Sequence, residues 1–517
     1  MNSYFLHNGW ILNPESPDAP SKSLLIQDGT IRQLDLEKAD ISGLSAENVI
    51  DLNGRTVLPG LIDSHLHLRK FALNLQRIDC QTQTKADCLE RVQLLASEKN
   101  PGEWILGHGW NQNIWDTGYG TSSELDQAAP NHPVYLTAKS LHASWANSKA
   151  LELAGIDHKT IDPPGGTIGR DGDGQPTGIL YESAVRLVED ILPIPGTAES
   201  AEAIKKAQLE LWKMGLTGVH DFDRRICFSA LQLLEREGKL GLRVLKSIPV
   251  EALDDILEIG LTTGFGSEWL WIGGVKIFAD GALGPQTAAM LEPYEGSEDQ
   301  YGMLLLTESE IEQLGRKAVE GGLSLAVHAI GDRANREVLN ALESIRKLEL
   351  ALGNNPLPHR IEHVQCLAPE DTVRLGELDV IASMQPIHAT SDMEMADKFW
   401  GERTVFSYAP QTQLNAGAQV IFGSDAPVES PNPFLGIHAA VTRQTTAGDP
   451  GPTGWNPEQR LTLQESLRAY TKNPARAAQR ANSQGVIQPG AWADLIVLDQ
   501  NPFDVEPESL AEIKPSA

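Results

Sequence analysis

From residue 61 onward, eight apolar runs of strand length recur along the chain, several arriving after an amphipathic helix and a glycine. That rhythm restricts the fold more than any other feature. The runs fall at 61–67, 217–222, 243–248, 275–279, 325–330, 360–364, 380–385 and 420–424. Strand-length runs alternating with helical periodicity mark parallel βα units, and a closed parallel barrel needs eight of them. The helical stretches carry their own stop signals: 199–214 closes on Gly215, 308–320 closes on Gly321-Gly322, and 334–350 sets Val338, Leu342 and Ile345 at helical spacing. The expected fold class is therefore α/β, a (β/α)8 TIM barrel.

The segments outside the runs complete the expected organisation. Residues 1–58 read as short antiparallel strands, with 23–27 and 30–34 flanking Asp28-Gly29, and 49–52 and 55–58 flanking Asn53-Gly54, both type I′ hairpin signals. After a capping box at 462–465, strand character returns between 485 and 502. The two ends are expected to share one small β-sandwich, 1–58 plus 480–517, beside a barrel of 59–479. Residues 68–216, rich in Trp, Gly and Asn, are expected to be a large insertion after the first barrel strand, covering the mouth of the barrel.

Charge and cysteine content narrow the function class. A formal net charge of −28 would repel phosphate backbones and anionic lipid surfaces. A nucleic-acid or membrane partner is thus disfavoured, and a small-molecule substrate is expected. No charged-then-apolar leader opens the chain and no run of eighteen apolar residues occurs, while the four cysteines, Cys80, Cys88, Cys227 and Cys366, form no CxxC pair. A cytoplasmic protein without disulfides is the expectation, with a homodimer as the default assembly.

The chemistry lies at the ends of the runs. In His65-Leu66-His67 the two imidazoles are two residues apart on one strand and so face the same way. Alone, this means little: with thirteen histidines in the chain, an HxH triplet arises by chance roughly a quarter of the time. His328, His363 and Asp425, however, also stand at or near the carboxyl ends of apolar runs, where barrel enzymes build their sites. Together they point to a metal centre.

Lys276, in Val275-Lys276-Ile277-Phe278, is a lysine within a buried strand. Beside a divalent cation its ammonium would suffer a repulsion of about 8 kcal/mol, taking roughly 4 Å and an effective dielectric of about 20. It should therefore be neutral or modified. A neutral amine can take up carbon dioxide as a carbamate, whose two oxygens can bridge two metals. The competing possibilities are that it snorkels to solvent or that Lys246, in Val244-Leu245-Lys246-Ser247, fills the role instead.

These residues resemble the amidohydrolase superfamily, and within it the amidohydrolase 3 group of YtcJ-like proteins and N-substituted formamide deformylase. The resemblance spans nearly the whole chain. Pro59-Gly60-Leu61-Ile62-Asp63-Ser64-His65-Leu66-His67 is similar to its first-strand signature, 275–283 to its lysine segment, and Gly423-Ser424-Asp425-Ala426-Pro427 to its last-strand aspartate. Trp145-Ala146-Asn147-Ser148-Lys149-Ala150 resembles its insertion motif, and 485–498 its return to the sandwich. The family adds strands after that return, whereas here the chain stops at Ala517, so a shortened sandwich is expected.

The resemblance implies two divalent ions, zinc foremost among Zn, Mn, Fe and Co. One would be held by His65, His67 and Asp425, the other by His328 and His363, with carbamylated Lys276 between them. A bridging hydroxide would attack a non-peptide C–N bond of an amide, N-acyl or N-formyl compound, with Asp425 and Lys276 as the catalytic residues and Asp425 relaying the proton to the leaving amine. Esters, lactones and phosphotriesters suit the same chemistry, and a barrel without catalytic activity is the alternative from another class. Trp110, Asn111, His142, His220 and Asp280 are the expected substrate contacts.

Overall fold

In the computed structural model, which describes residues 3–36, 44–112, 115–138, 143–353 and 355–517, the eight runs form one parallel sheet. Its strands are β1 (Leu61–Leu66), β2 (Leu216–Asp221), β3 (Arg243–Pro249), β4 (Leu270–Phe278), β5 (Leu325–Ala329), β6 (Arg360–His363), β7 (Ile381–Met384) and β8 (Val420–Phe422). They neighbour one another in chain order, with helices such as Glu308–Glu320 and Asp332–Leu352 between them. β1, β6, β7 and β8 are buried along their whole length, as strands covered on both faces must be.

β4 begins earlier than the sequence suggests. Gly273-Gly274 reads as punctuation, yet Leu270, Trp271 and Ile272 already pair with Val244, Leu245 and Lys246 of β3. The glycines let the neighbouring strands approach closely: a Cβ on Gly273 would lie 3.0 Å from Leu245, and one on Gly274 2.9 Å from Ser324.

The seam that closes the sheet, where β8 meets β1, is short. Leu66 bridges Ala426 in parallel, the Asp425 amide donates to the His65 carbonyl at 2.6 Å, and the His67 amide donates to the Ala426 carbonyl at 2.8 Å. Gly423 makes this approach possible, since a Cβ there would stand 2.4 Å from the His65 nitrogen. Below the seam, Asp63 accepts from the Ser424 hydroxyl at 2.5 Å and from the amides of Ser424 and His65 at 3.0 Å. Burial raises the Asp63 pKa to about 7 despite these donors.

The termini share a second sheet, in which Leu495–Leu498, Thr56–Pro59, Ser3–Ile11, Ser21–Gln27 and Thr30–Leu34 lie side by side in that order. The Asp28-Gly29 hairpin forms, with both residues at positive φ. The Asn53-Gly54 hairpin does not. Both residues are left-handed, but the flanking strands Val49–Asp51 and Thr56–Pro59 each run parallel to Ser3–Ile11. The Leu52 amide donates to the His7 carbonyl and the Gly54 amide to the Asn8 carbonyl, so the turn follows a kink at Asn8, itself at φ 57°, instead of reversing the chain.

The chain divides into two compact units, Ala72–Ala203 and the remainder. The smaller has its own six-stranded sheet, ordered Gly166–Arg170, Pro176–Glu182, Ala143–Ala146, Val134–Ala138, Ile105–Trp110, Ile78–Asp79. Its core gathers Trp110, Trp115 and Trp145 with Val92, Leu125 and Leu136. Among the described residues, no helix is long and apolar enough to cross a membrane.

Candidate metal centre

His65, His67, Lys276, His328, His363 and Asp425 all line one cavity of about 550 Å³. They reach it because five lie within the carboxyl-terminal part of their strands or one residue beyond, and Asp425 follows the end of β8 by three residues. Alternation along the strand sends His65 and His67 to the same side, and likewise Lys276 and Phe278. The first and last strands supply a compact group, with Asp425 Oδ1 3.6 Å from His65 Nε2 and 3.5 Å from His67 Nε2.

Each of the four imidazoles has one nitrogen tied to a neighbour. His65 Nδ1 meets Glu362 at 2.6 Å, His67 Nδ1 meets Asp223 at 3.2 Å, and His363 Nδ1 meets the Gln385 carbonyl oxygen at 2.8 Å. His328 reverses the pattern: its Nε2 meets the Gly281 carbonyl at 2.9 Å. Every partner atom is an acceptor, so each tied nitrogen carries the ring proton and the opposite nitrogen offers a lone pair. An outer acceptor that fixes the tautomer and aims the ring is the usual support of a metal-binding histidine. Burial, followed by the Lys276 charge, lowers the pKa of His65 far below the ordinary value and that of His328 to about 3, which keeps both rings neutral.

Glu362 is buried without solvent exposure. Burial pushes its pKa up, but Arg360 and His65 outweigh that and hold it well below the usual range. Arg360 grips both carboxylate oxygens and also donates to His220 Nδ1, at 2.9 Å. His65 therefore rests on a fixed anion, which itself rests on a fixed cation.

Lys276 and Lys246 are both buried, at 5% and 1% exposure, but only one is satisfied. Lys246 Nζ lies 3.0 Å from Asp221 Oδ2 and donates to the carbonyls of Asp221, Asp223 and Ser247. Lys276 Nζ has no hydrogen-bond partner. It sits 4.6 Å from the Phe222 ring centre and 4.9 Å from that of Phe278, and burial lowers its pKa to about 8. The backbone is strained nearby: His363, Val364 and Asp425 have φ of 78°, 45° and 59°. Each such residue costs on the order of 1–3 kcal/mol, and such outliers gather at functional sites.

Of the other expected contacts, Asp280 and His220 are not among the residues lining this cavity. The Asp280 oxygens accept the amides of Ala289, Ile330 and Gly331, and so fasten the loop that carries Ile330 of the cavity wall. His220 is buried beneath the site on Arg360. Trp110 packs in the core of the smaller unit, its Nε1 donating to the Leu136 carbonyl at 2.9 Å. Asn111 follows it, half-buried, and His142 lies outside the described residues.

Asp223, Glu362, Gln385, Gln365 and His388 are additions from the structure. Sequence position hints at some of them, since Glu362 precedes a ligand-type histidine and His388 follows the end of a barrel strand by a few residues. Their partners are set by which strands lie side by side, and that is invisible in one strand's sequence.

A family model described as Amidohydrolase family matches residues 48–517. The chain is 34% identical over 514 residues to Protein LONG AFTER FAR-RED 3 of Arabidopsis thaliana, covering 96% of this chain and 87% of that protein. It is 29% identical over 535 residues to N-substituted formamide deformylase of Arthrobacter pascens, covering 99% and 96%. Among solved structures, an uncharacterized metal-dependent hydrolase from Pyrococcus furiosus superposes with a TM-score of 0.79 at 29% identity, covering 97% of this chain and 100% of that one.

Proposed function

Because the chain belongs to the amidohydrolase family, whose members include metal-dependent hydrolases, we propose that its cavity holds two divalent cations and hydrolyses a non-peptide C–N bond of an amide, N-acyl or N-formyl compound. The observation that carries this reading is the donor set: four imidazoles, each with one nitrogen tied to an outer acceptor, beside one aspartate and one buried amine without a hydrogen-bond partner. His65, His67 and Asp425 would hold one ion and His328 and His363 the other. The donors suit zinc and do not exclude Mn, Fe or Co.

Lys276 completes the set as a carbamate. Its amine nitrogen forms a bond to the carbon of carbon dioxide and loses a proton to water, converting a site that repels cations into an anion with two oxygens. A burial-lowered pKa of about 8 leaves a usable fraction of free amine near neutral pH. The two anions, carbamate and Asp425, then balance part of the four positive charges brought by the ions. When bound, the cations would supply the acidity that makes water a nucleophile near neutral pH, and would polarise the substrate carbonyl.

Asp425 carries the proton. Burial raises its pKa, while His67 and Lys276 pull it back, so its carboxylate is a stronger base than one in water. It takes the proton released as water adds to the carbonyl and returns it to the nitrogen of the departing amine. Phe278, Leu283, Ile330 and Met395 give the cavity an apolar wall for the organic part of the substrate. The similarity to N-substituted formamide deformylase favours C–N over C–O or P–O bonds.

The test is elemental analysis of the purified protein, followed by turnover of a panel of N-formyl amines, N-acyl amines, lactones, esters and phosphotriesters. About two ions per chain and preferential release of amine are expected. A chain that binds no divalent metal sinks the reading, and turnover confined to lactones, esters or phosphotriesters sinks the choice of bond.

A further inference from the structure

Two buried polar atoms on the cavity wall, His388 Nε2 and Gln365 Oε1, have no hydrogen-bond partner. Buried polar atoms are nearly always paired, so an orphan facing a cavity marks the place of a ligand atom. His388 sits in the helix Pro386–Ser391, capped by Gln385 directly after β7, and is 6% exposed. Its ring lies 9° from parallel to that of His363, with centres 6.3 Å apart. One of its nitrogens is within 4.8 Å of ligating atoms of both His363 and Asp425. The ring thus stands beside the proposed metal site, on the wall of the same cavity.

Its hydrogen bonding separates it from the metal-type histidines. Gln365 Nε2 approaches His388 Nδ1 at 3.4 Å, and an amide nitrogen can only donate. Nδ1 is therefore the acceptor, and the ring proton sits on Nε2, the orphan atom. The four ligand-type rings do the opposite, each setting one nitrogen against an outer acceptor and leaving the other nitrogen bare. Although His363, His388 and Asp425 are close enough to share a cation, a nitrogen that carries the ring proton has no lone pair for one and donates to an oxygen instead.

We propose that His388 is a further catalytic residue, which donates from Nε2 to the oxygen of the carbonyl under attack while Gln365 holds the ring in the donating tautomer. The proposal rests on the carbonyl-hydrolase reading of the same cavity. A fixed donor aimed at an oxygen that gains negative charge strengthens its bond as the reaction proceeds, and so lowers the barrier more than it tightens substrate binding.

The experiment uses the zinc-loaded full-length protein, with acetohydroxamate as a carbonyl-bearing probe. Wild type, His388→Phe, His388→Asn and His363→Asn are compared for zinc per chain, probe affinity by calorimetry, and kcat and KM on any amide the wild type cleaves. The expected result is that His388→Phe keeps its zinc, binds acetohydroxamate about tenfold more weakly and loses about 10²–10³ in kcat with KM nearly unchanged. His388→Asn, which restores an N–H donor, should recover part of both losses, and it carries the test alone if the phenylalanine variant fails to fold. Zinc loss matching that of His363→Asn would make His388 a ligand and overturn the proposal, as would undiminished probe binding and kcat. If the loaded wild type cleaves no carbonyl compound, the hydrolase reading fails, and the acetohydroxamate titration still decides for or against the His388 contact.

Discussion

Lys246 and Lys276 stand on neighbouring strands, β3 and β4, and both are buried among barrel residues, yet their surroundings are opposites. Around Lys246 the ends of β2 and β3 supply the Asp221 carboxylate and three carbonyls, so its charge is met in full within the protein. Around Lys276 stand two aromatic rings and no acceptor. The same residue type is thus a structural cation at one strand end and an unsatisfied amine at the next. A buried amine without an acceptor is costly as a cation, which favours its neutral or modified form.

Substitutions can break or sharpen this contrast. The largest effect is expected from Lys276→Ala, which should lose bound metal and with it at least about 10³-fold in kcat. Native intact-mass analysis should find one carbon dioxide adduct that is lost in Lys276→Ala and kept in Lys246→Met; the reverse would exchange their roles. Asp425→Asn should keep most of its metal and lower kcat by about 10²–10⁴-fold, the share of a lost proton carrier. Undiminished turnover would remove Asp425 from that role.

Lys246→Met should act on folding before chemistry. It leaves Asp221 buried against no cation, and unfolding in denaturant should show a loss of about 3–5 kcal/mol. A stable variant that instead loses metal would mean Lys246 belongs to the site. The smallest effect on metal should come from Glu362→Gln, which keeps an acceptor for His65 but removes the anion facing both His65 and Arg360, so that some stability is lost with it. Metal affinity, read by competition with a chelator, should fall about 10–100-fold, and an unchanged value would show that the Glu362 charge does not tune His65.

The sequence shows one side of this contrast better than the other. Strand ends announce candidate ligands, period-two spacing putting His65 and His67 on one face: the six residues expected as metal ligands line one cavity. The acceptors behind them are not readable in this way, because Glu362 serves His65 from β6 and Asp223 serves His67 from beyond β2. The register between strands decides such pairs, and the pattern within a strand does not. The N-terminal sheet teaches the same lesson, since Asn53-Gly54 specifies the local dihedrals correctly while the choice of partner strand belongs to Ser3–Ile11. The role of Asp280 is hidden for a related reason: that a carboxylate beside the lysine strand clasps three loop amides depends on loops distant in sequence.

The closing seam has a mechanical consequence. His65 and Asp425 are separated by most of the polypeptide, yet an ion shared between their side chains would fasten the front and rear of the barrel across the few backbone bonds joining β1 to β8. Such an ion would act as a rivet in the hoop as well as a reagent, because a ligand that binds only the closed ring shifts the balance against its opening. Stripped of its ions, the ring is expected to spring apart first at that join, so that the site for chemistry and the weakest stave of the wall coincide.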